Sequence, residues 1–215
     1  MAQAEIGLIG LGVMGSNLAL NIAEKGNTIA VFNRTAARTK EFYEEAGDLK
    51  DRIVPCETIE EFVAAIRPPR PIIIMIQAGA AVDQQMDLLR PHLEKNDIMI
   101  DAGNANFRDT MRRFDALKDS GLTFIGMGVS GGEEGARHGP SIMVGGKEDS
   151  WKRVEKVLTS IAAKYNNDQC VAWLGENGAG HFVKTIHNGI EYADMQMIAE
   201  IYGILRDGLK MSATE

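Results

Sequence analysis

The sequence has little cysteine, and its two cysteines are not arranged to bind a metal or to form a redox pair. Cys56 and Cys170 lie far apart among the 215 residues, without a Cys-x-x-Cys spacing and without a histidine at metal-ligand spacing. Isolated thiols of this kind are typical of proteins in a reducing compartment. We therefore expect a cytoplasmic protein with two reduced cysteines and no metal site.

Positive charge and long apolar runs are also scarce. The chain has 23 Lys and Arg against 30 Asp and Glu, a net charge of −7, which argues against nucleic acid or an anionic membrane as a partner. No apolar stretch approaches the roughly 18 residues of a membrane span. The short run from Ile6 to Leu11 has no basic leader and is interrupted by glycine, so we interpret it as a strand rather than a signal peptide.

What the sequence does contain is an alternation of short β-branched runs with longer segments of helical period. This pattern predicts βαβ units and hence an α/β protein, a Rossmann-like, doubly wound fold with a mainly parallel sheet. The predicted strands are 5–9, 28–33, 72–77, 97–101 and 123–128, with 141–144 and 171–173 extending the sheet in a direction that the sequence leaves open. The predicted helices are 13–25, 36–46, 59–66, 81–93, 108–120 and 150–163.

The last part of the chain differs from the rest. From Gly178 to about Lys210 there is no proline, and the segment is apolar around much of its helical circumference. A helix this long and apolar is not expected to end in water. We predict a Rossmann-like domain over residues 1–177 and, over 178–215, a long helix that leads into an all-helical domain absent from this sequence.

A glycine-rich motif lies between the first predicted strand and the first predicted helix. Gly10, Gly12 and Gly15 spell G-x-G-x-x-G, in which the first glycine allows a tight turn, the second lets a pyrophosphate approach, and the third packs helix against strand. The phosphates then lie on free N–H groups at the helix N-terminus. An ordinary glycine turn is the alternative, but the position inside a βαβ unit favours dinucleotide binding by Gly10, Leu11, Gly12, Val13, Met14 and Gly15.

The end of the second predicted strand indicates which dinucleotide is bound. An NAD enzyme places an Asp or Glu there to bind the ribose 2′-hydroxyl, whereas this chain has Asn33, Arg34 and Thr35. A guanidinium can bind a 2′-phosphate with two hydrogen bonds, which a carboxylate would repel. We therefore expect NADP, with a solvated surface role for Arg34 as the alternative.

Three further loops are expected at the carboxyl ends of the strands, where ligands of open parallel sheets bind. They comprise Ile76, Gln77 and Ala78, then residues 101–106, then residues 129–135. Asn104 and Ser130 can donate to a carboxylate or hydroxyl, and Gly131 and Gly132 expose N–H groups to an anion. Asn106 and Glu134 are equally well explained as ordinary turn residues.

A polar stripe interrupts the apolar surface of the long helix. Lys184, His187, Asn188 and Glu191 follow the i, i+3, i+4, i+7 spacing of one helix face, and Tyr192 lies beside them. Charged groups on a buried helix are costly unless they line a cleft or are paired. A catalytic cleft is the interpretation that we favour, and an ion pair between Lys184 and Glu191 or a solvent-facing stripe are the alternatives.

An amine and a carboxyl group on such a stripe suit the oxidation of an alcohol by NADP. A lysine whose pKa is lowered by burial can take the hydroxyl proton as hydride leaves, and can then polarise the ketone that forms. If the product is a β-keto acid, it loses CO₂ readily, and a nearby carboxylic acid can protonate the resulting enediol carbon.

Five motifs together resemble the 6-phosphogluconate dehydrogenase family over nearly the whole chain. They are G-L-G-V-M-G, N-R-T, D-A-G-N, V-S-G-G-E-E-G-A-R and G-A-G-H-F-V-K-T-I-H-N-G-I-E-Y. The resemblance implies that Lys184 is the general base and acid, and that Glu191 protonates the product carbon. It implies substrate contacts from Asn104, Ser130, Gly131, Gly132, His187, Asn188 and Tyr192, and cofactor contacts from residues 10–15, 33–35, 76–78 and Asn104.

The resemblance also implies conversion of 6-phosphogluconate to ribulose 5-phosphate, CO₂ and NADPH in the pentose phosphate pathway, by a homodimer. Two departures qualify it. Gln77 stands where many members have lysine. We find no match to the family's helical second half, which builds the dimer and binds the substrate phosphate, so this chain alone is expected to bind NADP with little turnover.

Two other functions fit the same residues. One is a β-hydroxyacid dehydrogenase that acts on a small acid without phosphate. The other is a non-catalytic NADP-binding module that signals through its exposed helix.

Overall fold

The computed structural model describes residues 3–214 of the chain, so the outermost residues of both predicted domains lie outside the described part. Its main feature is a sheet of eight strands in the order β10-β7-β6-β5-β4-β1-β2-β3. Neighbouring strands are parallel except β6 and β7, which are antiparallel. The strands of this sheet are β1 (Ile6–Ile9), β2 (Ile29–Phe32), β3 (Ile53–Cys56), β4 (Pro71–Ile74), β5 (Ile98–Asp101), β6 (Thr123–Ser130), β7 (Ser141–Gly145) and β10 (Val171–Trp173).

Helices cover both faces of this sheet, and a separate two-stranded ribbon follows the seventh helix. The helices are α1 (Val13–Glu24), α2 (Ala36–Glu45), α3 (Ile59–Ala65), α4 (Ala80–Leu89), α5 (Phe107–Leu117), α6 (Gly132–His138), α7 (Glu148–Ile161) and α8 (Ala179–Gly203). The ribbon pairs β8 (Lys164–Tyr165) with β9 (Asp168–Gln169), and short 3₁₀ turns occupy Gly47–Arg52 and Arg90–His92.

The central strands are buried because both faces of the sheet are covered, as the nearly continuous apolar runs predict. One core forms against α1 and α7 and includes Leu18 and Leu158. The other forms against α3 and α4 and includes Phe62. The predicted Rossmann-like α/β fold with a mainly parallel sheet is therefore confirmed.

Several elements were not expected from the sequence, among them the β8–β9 ribbon and two elements of the main domain. The first is β3, an edge strand that pairs only with β2 among the described strands. Pro55 lies within it, and an edge strand tolerates proline because one side of its backbone needs no ladder hydrogen bonds.

The second is α6, which forms where we predicted a loop over residues 129–135. That prediction is wrong, because Val129 and Ser130 complete β6 and Gly132 begins the helix. The helix contains Gly132 and Gly135, and glycine has low helix propensity. Packing against α1 stabilises it: the Asn21 side chain donates to the Ala136 carbonyl over 3.1 Å.

The long C-terminal helix α8 was predicted and has two distinct parts. Residues 179–188, the seated half, pack on β6, β7 and α5. Residues 189–208, the exposed half, comprise the rest of α8 and a π-helical turn, Ile204–Gly208, and every residue from 189 to 202 is exposed. Within residues 3–214, no helix has the length and hydropathy needed to cross a membrane.

Candidate active site

The glycine motif has the geometry that a bound pyrophosphate requires. Gly10 has φ 100°, a conformation that favours glycine, and a Cβ there would overlap the Met75 carbonyl oxygen. A Cβ on Gly15 would overlap the Gly10 carbonyl oxygen, so α1 lies directly against the strand end. At Gly12, by contrast, no described atom lies within 4 Å of such a Cβ. The middle glycine therefore faces open space at the N-terminus of α1.

Asn33 holds the loop after β2 in place, and the guanidinium of Arg34 in the same loop is unpaired. The Asn33 side-chain oxygen accepts a hydrogen bond from the Leu11 amide over 3.1 Å, which ties this loop to the glycine motif. Arg34 and Thr35 follow on the surface, and Arg34 has no ion-pair or hydrogen-bond partner within residues 3–214. An unpaired guanidinium is available for an anionic group.

Two adjoining cavities lie along this edge of the sheet. The larger, of about 450 Å³, is lined by Gly10, Gly12, Val13, Met14, Gly15, Asn33, Met75, Ile76, Gln77, Ala102, Gly103, Asn104 and Val129. The smaller, of about 300 Å³, shares Gly10, Asn33, Ile76 and Gln77 with it and adds Arg34, Thr35, Gln84 and Gln85. Together they bring the glycine motif, the Asn33 loop and the two loops after β4 and β5 to one elongated cleft.

A buried ion-pair network fixes the loops on one side of this cleft. Arg113 of α5 is 1% exposed and donates to Asp101 (3.2 Å), to Asp83 (3.0 Å) and to the Gly79 carbonyl (2.8 Å). Asp101 also accepts from the Gly103 amide over 3.1 Å. The guanidinium therefore joins the loop before α4 to the loop that carries Asn104. The hydrogen bonds from Arg113 and then Arg112 hold the pKa of Asp83 well below its usual range.

Lys184 lies on the face of α8 that is turned towards β6. Only 7% of the residue is exposed, and its amine has no ion-pair or hydrogen-bond partner among the described residues. Burial lowers the pKa of the Lys184 amine below its ordinary value, although the charge of Glu191 acts in the opposite direction. The structure therefore does not contain the ion pair between Lys184 and Glu191, and an unpaired amine of lowered pKa is suited to act as a base.

The other polar residues of the stripe form a short chain of contacts. His187 Nε2 lies 3.1 Å from Ser130 Oγ at the end of β6, and its Nδ1 lies 3.2 Å from the Asn188 side-chain oxygen. Glu191 Oε2 lies 3.6 Å from the same Nδ1. The stripe thus connects the end of β6 to the beginning of the exposed half.

Some candidate residues do not line either cavity. Tyr192 is 68% exposed, and Glu191 belongs to the exposed half, so neither is enclosed by described residues. Gly131 and Gly132 are exposed at the start of α6. Asn106 is the N-cap of α5, where its side chain accepts from the Arg108 amide over 3.0 Å, and Glu134 lies 3.7 Å from His138 on the surface of α6. These last two contacts support the structural interpretation of both residues.

Several residues that build the site were not identified from the sequence. Arg113 and its ion-pair partners are the first group. The second is Arg38, which contacts the glycine motif by donating to the Leu11 carbonyl over 2.9 Å. A third is the buried pair of Thr110 Oγ1 and His181 Nδ1, 2.7 Å apart. The alternating Gly126 and Gly128 in a buried strand were the one available signal, since glycine inside a strand often marks a close approach. Among residues 3–214 no cluster of metal-ligating side chains occurs.

Comparison with protein families matches two models to the chain. The model described as the NAD binding domain of 6-phosphogluconate dehydrogenase matches residues 5–175. The model described as the 6-phosphogluconate dehydrogenase C-terminal domain matches residues 180–215, which contain nearly all of α8. The expectation that nothing in the chain matches the helical half of the family is therefore wrong for this segment.

Individual proteins are similar over the same extent. The chain is 51% identical over 212 residues to a decarboxylating 6-phosphogluconate dehydrogenase of Chlamydia pneumoniae, covering 99% of this chain and 44% of that protein. It is 50% identical to an NADP(+)-dependent, decarboxylating 6-phosphogluconate dehydrogenase of Bacillus subtilis, covering 100% of this chain and 45% of the relative. The chain thus spans slightly less than half the length of these relatives.

A solved structure shows the same architecture. Plasmodium falciparum 6-phosphogluconate dehydrogenase, studied in its apo form and in complexes with NADP+ and with 6-phosphogluconate, superposes with a TM-score of 0.90 at 43% sequence identity. The superposition covers 96% of this chain and 44% of that chain.

Proposed function

This chain belongs to the 6-phosphogluconate dehydrogenase family, and from that premise we propose that it binds NADP and carries the groups that oxidise and decarboxylate 6-phosphogluconate. The observation that supports the proposal most strongly is Lys184, a largely buried residue whose amine has no ion-pair partner in the described part of the chain. It lies near the end of β6, next to the glycine-lined cleft. Lys184 packs on Gly128, and the next residue along β6, Val129, lines that cleft.

The residues of the cleft fit NADP. The open position at Gly12 and the N–H groups at the start of α1 suit the pyrophosphate, and the unpaired Arg34 with Thr35 suits the 2′-phosphate. Leu11 and Ala78, which follow Gly10 and Gln77 in the chain, are further proposed cofactor contacts. Gln77 adds no charge at its position, so the positive charge near the phosphates comes from Arg34, from the helix terminus and from Arg38, which donates to the Leu11 carbonyl. When bound, NADP accepts the hydride of the oxidation.

The cofactor assignment is tested by replacing Arg34. We expect Arg34→Ala to weaken NADP binding and to leave NAD binding nearly unchanged, because only NADP carries the 2′-phosphate. Titration of the protein fluorescence with both dinucleotides measures this. The control is Lys40→Ala, which changes an exposed residue of α2. Retention of the full preference for NADP by Arg34→Ala would exclude the assignment.

The chain's own groups can carry out the proton transfers. Lys184 as a free amine takes the proton of the β-hydroxyl, and as an ammonium group it then donates to the ketone oxygen and favours loss of CO₂. Glu191 protonates the carbon left by CO₂. Asn104, Ser130, Gly131, Gly132, His187, Asn188 and Tyr192 are the proposed substrate contacts, of which Ser130 and His187 already contact each other.

The reaction is tested in the natural gene product that contains these residues. We expect NADPH formation with 6-phosphogluconate, release of one CO₂ per NADPH, and no comparable rate with 3-hydroxyisobutyrate. Equal or faster turnover of 3-hydroxyisobutyrate would favour a β-hydroxyacid dehydrogenase. NADP binding without turnover of either acid by that gene product would favour a non-catalytic module.

We propose that the exposed half of α8 is the surface that contacts a partner. We also propose that the protein is cytoplasmic. The exposed half lies in the segment matched by the C-terminal domain model, and it presents large apolar side chains such as Ile190, Ile198 and Ile201. An apolar surface of this kind is typical of a protein interface. We propose that it packs within a helical domain that forms a homodimer. The two free cysteines suit a reducing compartment.

A further inference from the structure

The seated half of α8 rests on glycines, which bring its backbone against the sheet. Gly126 and Gly128 alternate on β6 and so face the same side, and Gly145 lies opposite Gly126 on β7. A Cβ on Gly180 of α8 would lie 2.5 Å from the Met143 carbonyl oxygen and would overlap that of Gly126. The start of α8 therefore lies closer to the strands than any residue with a side chain would permit.

Gly128 is the glycine that lies beneath Lys184. A Cβ on Gly128 would lie 2.6 Å from the Lys184 Cβ and 3.0 Å from its Cγ. Carbon atoms in ordinary contact are about 3.5–4.0 Å apart, so even one methyl group would move this turn of helix outwards by about 1 Å. Because Cβ is attached to the helix backbone, rotation of the lysine side chain cannot relieve the contact.

His181 holds the same helix face one turn earlier. It precedes Lys184 by three residues and is 1% exposed, and its Nδ1 lies 2.7 Å from the Thr110 hydroxyl of α5. The other ring nitrogen, Nε2, has no hydrogen-bond partner in the described range. The Thr110 hydroxyl is thus the side-chain contact that orients this ring, and Gly126 leaves the space for both groups, since a Cβ there would lie 2.5 Å from Thr110 Cγ2.

We propose that Gly128 and Thr110 are positioning residues that together set the depth and direction of Lys184 relative to the cleft. Neither acts on the substrate. Gly128 determines how close the lysine lies to the sheet, and Thr110 acts through His181 to fix the rotation of the helix. This inference rests on the proposed function, in which Lys184 is the base, but it makes a separate statement about how that base is placed.

The first test is Gly128→Ala in the natural gene product. A displacement of about 1 Å at a catalytic group can lower the rate about 100-fold, so we expect kcat to fall by about that factor while the KM for NADP is unchanged. The rise of kcat/KM with pH should also move to higher pH, because an amine displaced towards water regains a more ordinary pKa. Lys156→Ala, at an exposed position of α7 that lines neither cavity of the cleft, should change neither quantity.

A second readout does not depend on turnover. The pH dependence of acetylation at Lys184, followed by peptide mass spectrometry, reports the pKa of that amine in each variant. In the unmodified protein it should lie below the ordinary lysine value of about 10.4, and Gly128→Ala should move it towards that value. An unchanged Lys184 titration together with unchanged kcat in Gly128→Ala would overturn the inference, whereas absence of turnover in the unmodified protein would count against the proposed function alone.

Thr110 provides a milder pair of variants, which decides the question if Gly128→Ala does not fold. Thr110→Val keeps the shape and removes the hydroxyl, whereas Thr110→Ser keeps the hydroxyl. We expect Thr110→Val to shift the Lys184 titration and lower kcat without changing NADP binding, and Thr110→Ser to retain both properties. Equal behaviour of the two variants would show that the hydroxyl does not position the helix and would contradict the proposal.

Discussion

The seated half and the exposed half of α8 belong to one continuous helix but have opposite surroundings. In the seated half, His181 and Lys184 are buried against the sheet and α5. In the exposed half, apolar residues such as Ile198, which is 70% exposed, have no cover from the described chain. The contrast shows that the Rossmann-like domain packs only on the seated half, where it positions the proposed base. The apolar side chains of the exposed half are available to contact another surface.

The largest effect is expected from removing the amine of the seated half. Lys184→Met has a similar length and no charge, and we expect kcat of the natural gene product to fall by about 10²–10⁴-fold, the usual contribution of a general base. NADP binding should persist, because the glycine motif and Arg34 are untouched. Met195→Leu in the exposed half, a volume-conserving change, should keep its activity. Turnover by Lys184→Met at the original rate would remove the distinction between the halves.

A second large effect is expected where α5 supports the cleft. Arg113→Ala leaves Asp101 buried without its partner, and we expect the free energy of unfolding to fall by about 3–5 kcal/mol. The neighbouring Arg112 is exposed and also pairs with Asp83, so Arg112→Ala should cost about 0.2–1 kcal/mol. Urea denaturation of the 215-residue chain measures both. Equal losses of unfolding free energy in the two variants would mean that the burial of Arg113 does not increase the contribution of its ion pairs to stability.

The same network predicts an acid dependence of stability. Arg113 and Arg112 lower the pKa of Asp83 in the folded protein. The carboxylate therefore stabilises the fold fully at a pH above the Asp83 pKa of the unfolded chain, and it loses this effect as the pH falls towards the Asp83 pKa of the folded protein. The difference in unfolding free energy between the unmodified chain and Asp83→Asn should therefore narrow from about pH 5 to about pH 2. A constant difference over this interval, measured by urea denaturation at each pH, would contradict the assignment.

The smallest effect is expected in the exposed half. Ile198→Ala in the 215-residue chain should change the unfolding free energy by no more than about 0.5 kcal/mol. Leu158→Ala, at a fully buried core position, should cost about 2–5 kcal/mol. The measurement should be made at low protein concentration. A loss at Ile198 as large as that at Leu158 would show that a second copy of the chain covers the exposed half.

The elements that were predicted correctly have strong local signals. The strand, glycine motif and helix from Ile6 to Glu24 combine an apolar run, G-x-G-x-x-G and a helical period, and α8 has a long uninterrupted helical pattern. The i, i+3, i+4 spacing likewise predicted that Lys184, His187 and Asn188 share a helix face. Such local patterns are readable because the chain itself sets their geometry.

The features that were missed depend on contacts between distant parts of the chain. The short strand β3 contains Pro55 and is held by pairing with β2, and α6 forms on α1 despite its glycines. Arg113 reaches Asp83 and Asp101 from another element, and Gly128 matters only because Lys184 lies above it. None of these partners is evident from spacing along the chain, so the support of the site became visible only in the fold.

The most direct test is a crystal structure of the natural gene product with 6-phosphogluconate and NADPH bound, because the reduced cofactor cannot accept a hydride and the substrate therefore stays intact. We expect Lys184 Nζ within hydrogen-bond reach, about 2.6–3.2 Å, of the substrate's β-hydroxyl, with the nicotinamide in the cleft lined by Val129 and Asn104. A complex in which Lys184 points away from that hydroxyl and another side chain contacts it would contradict the assignment of Lys184 as the base.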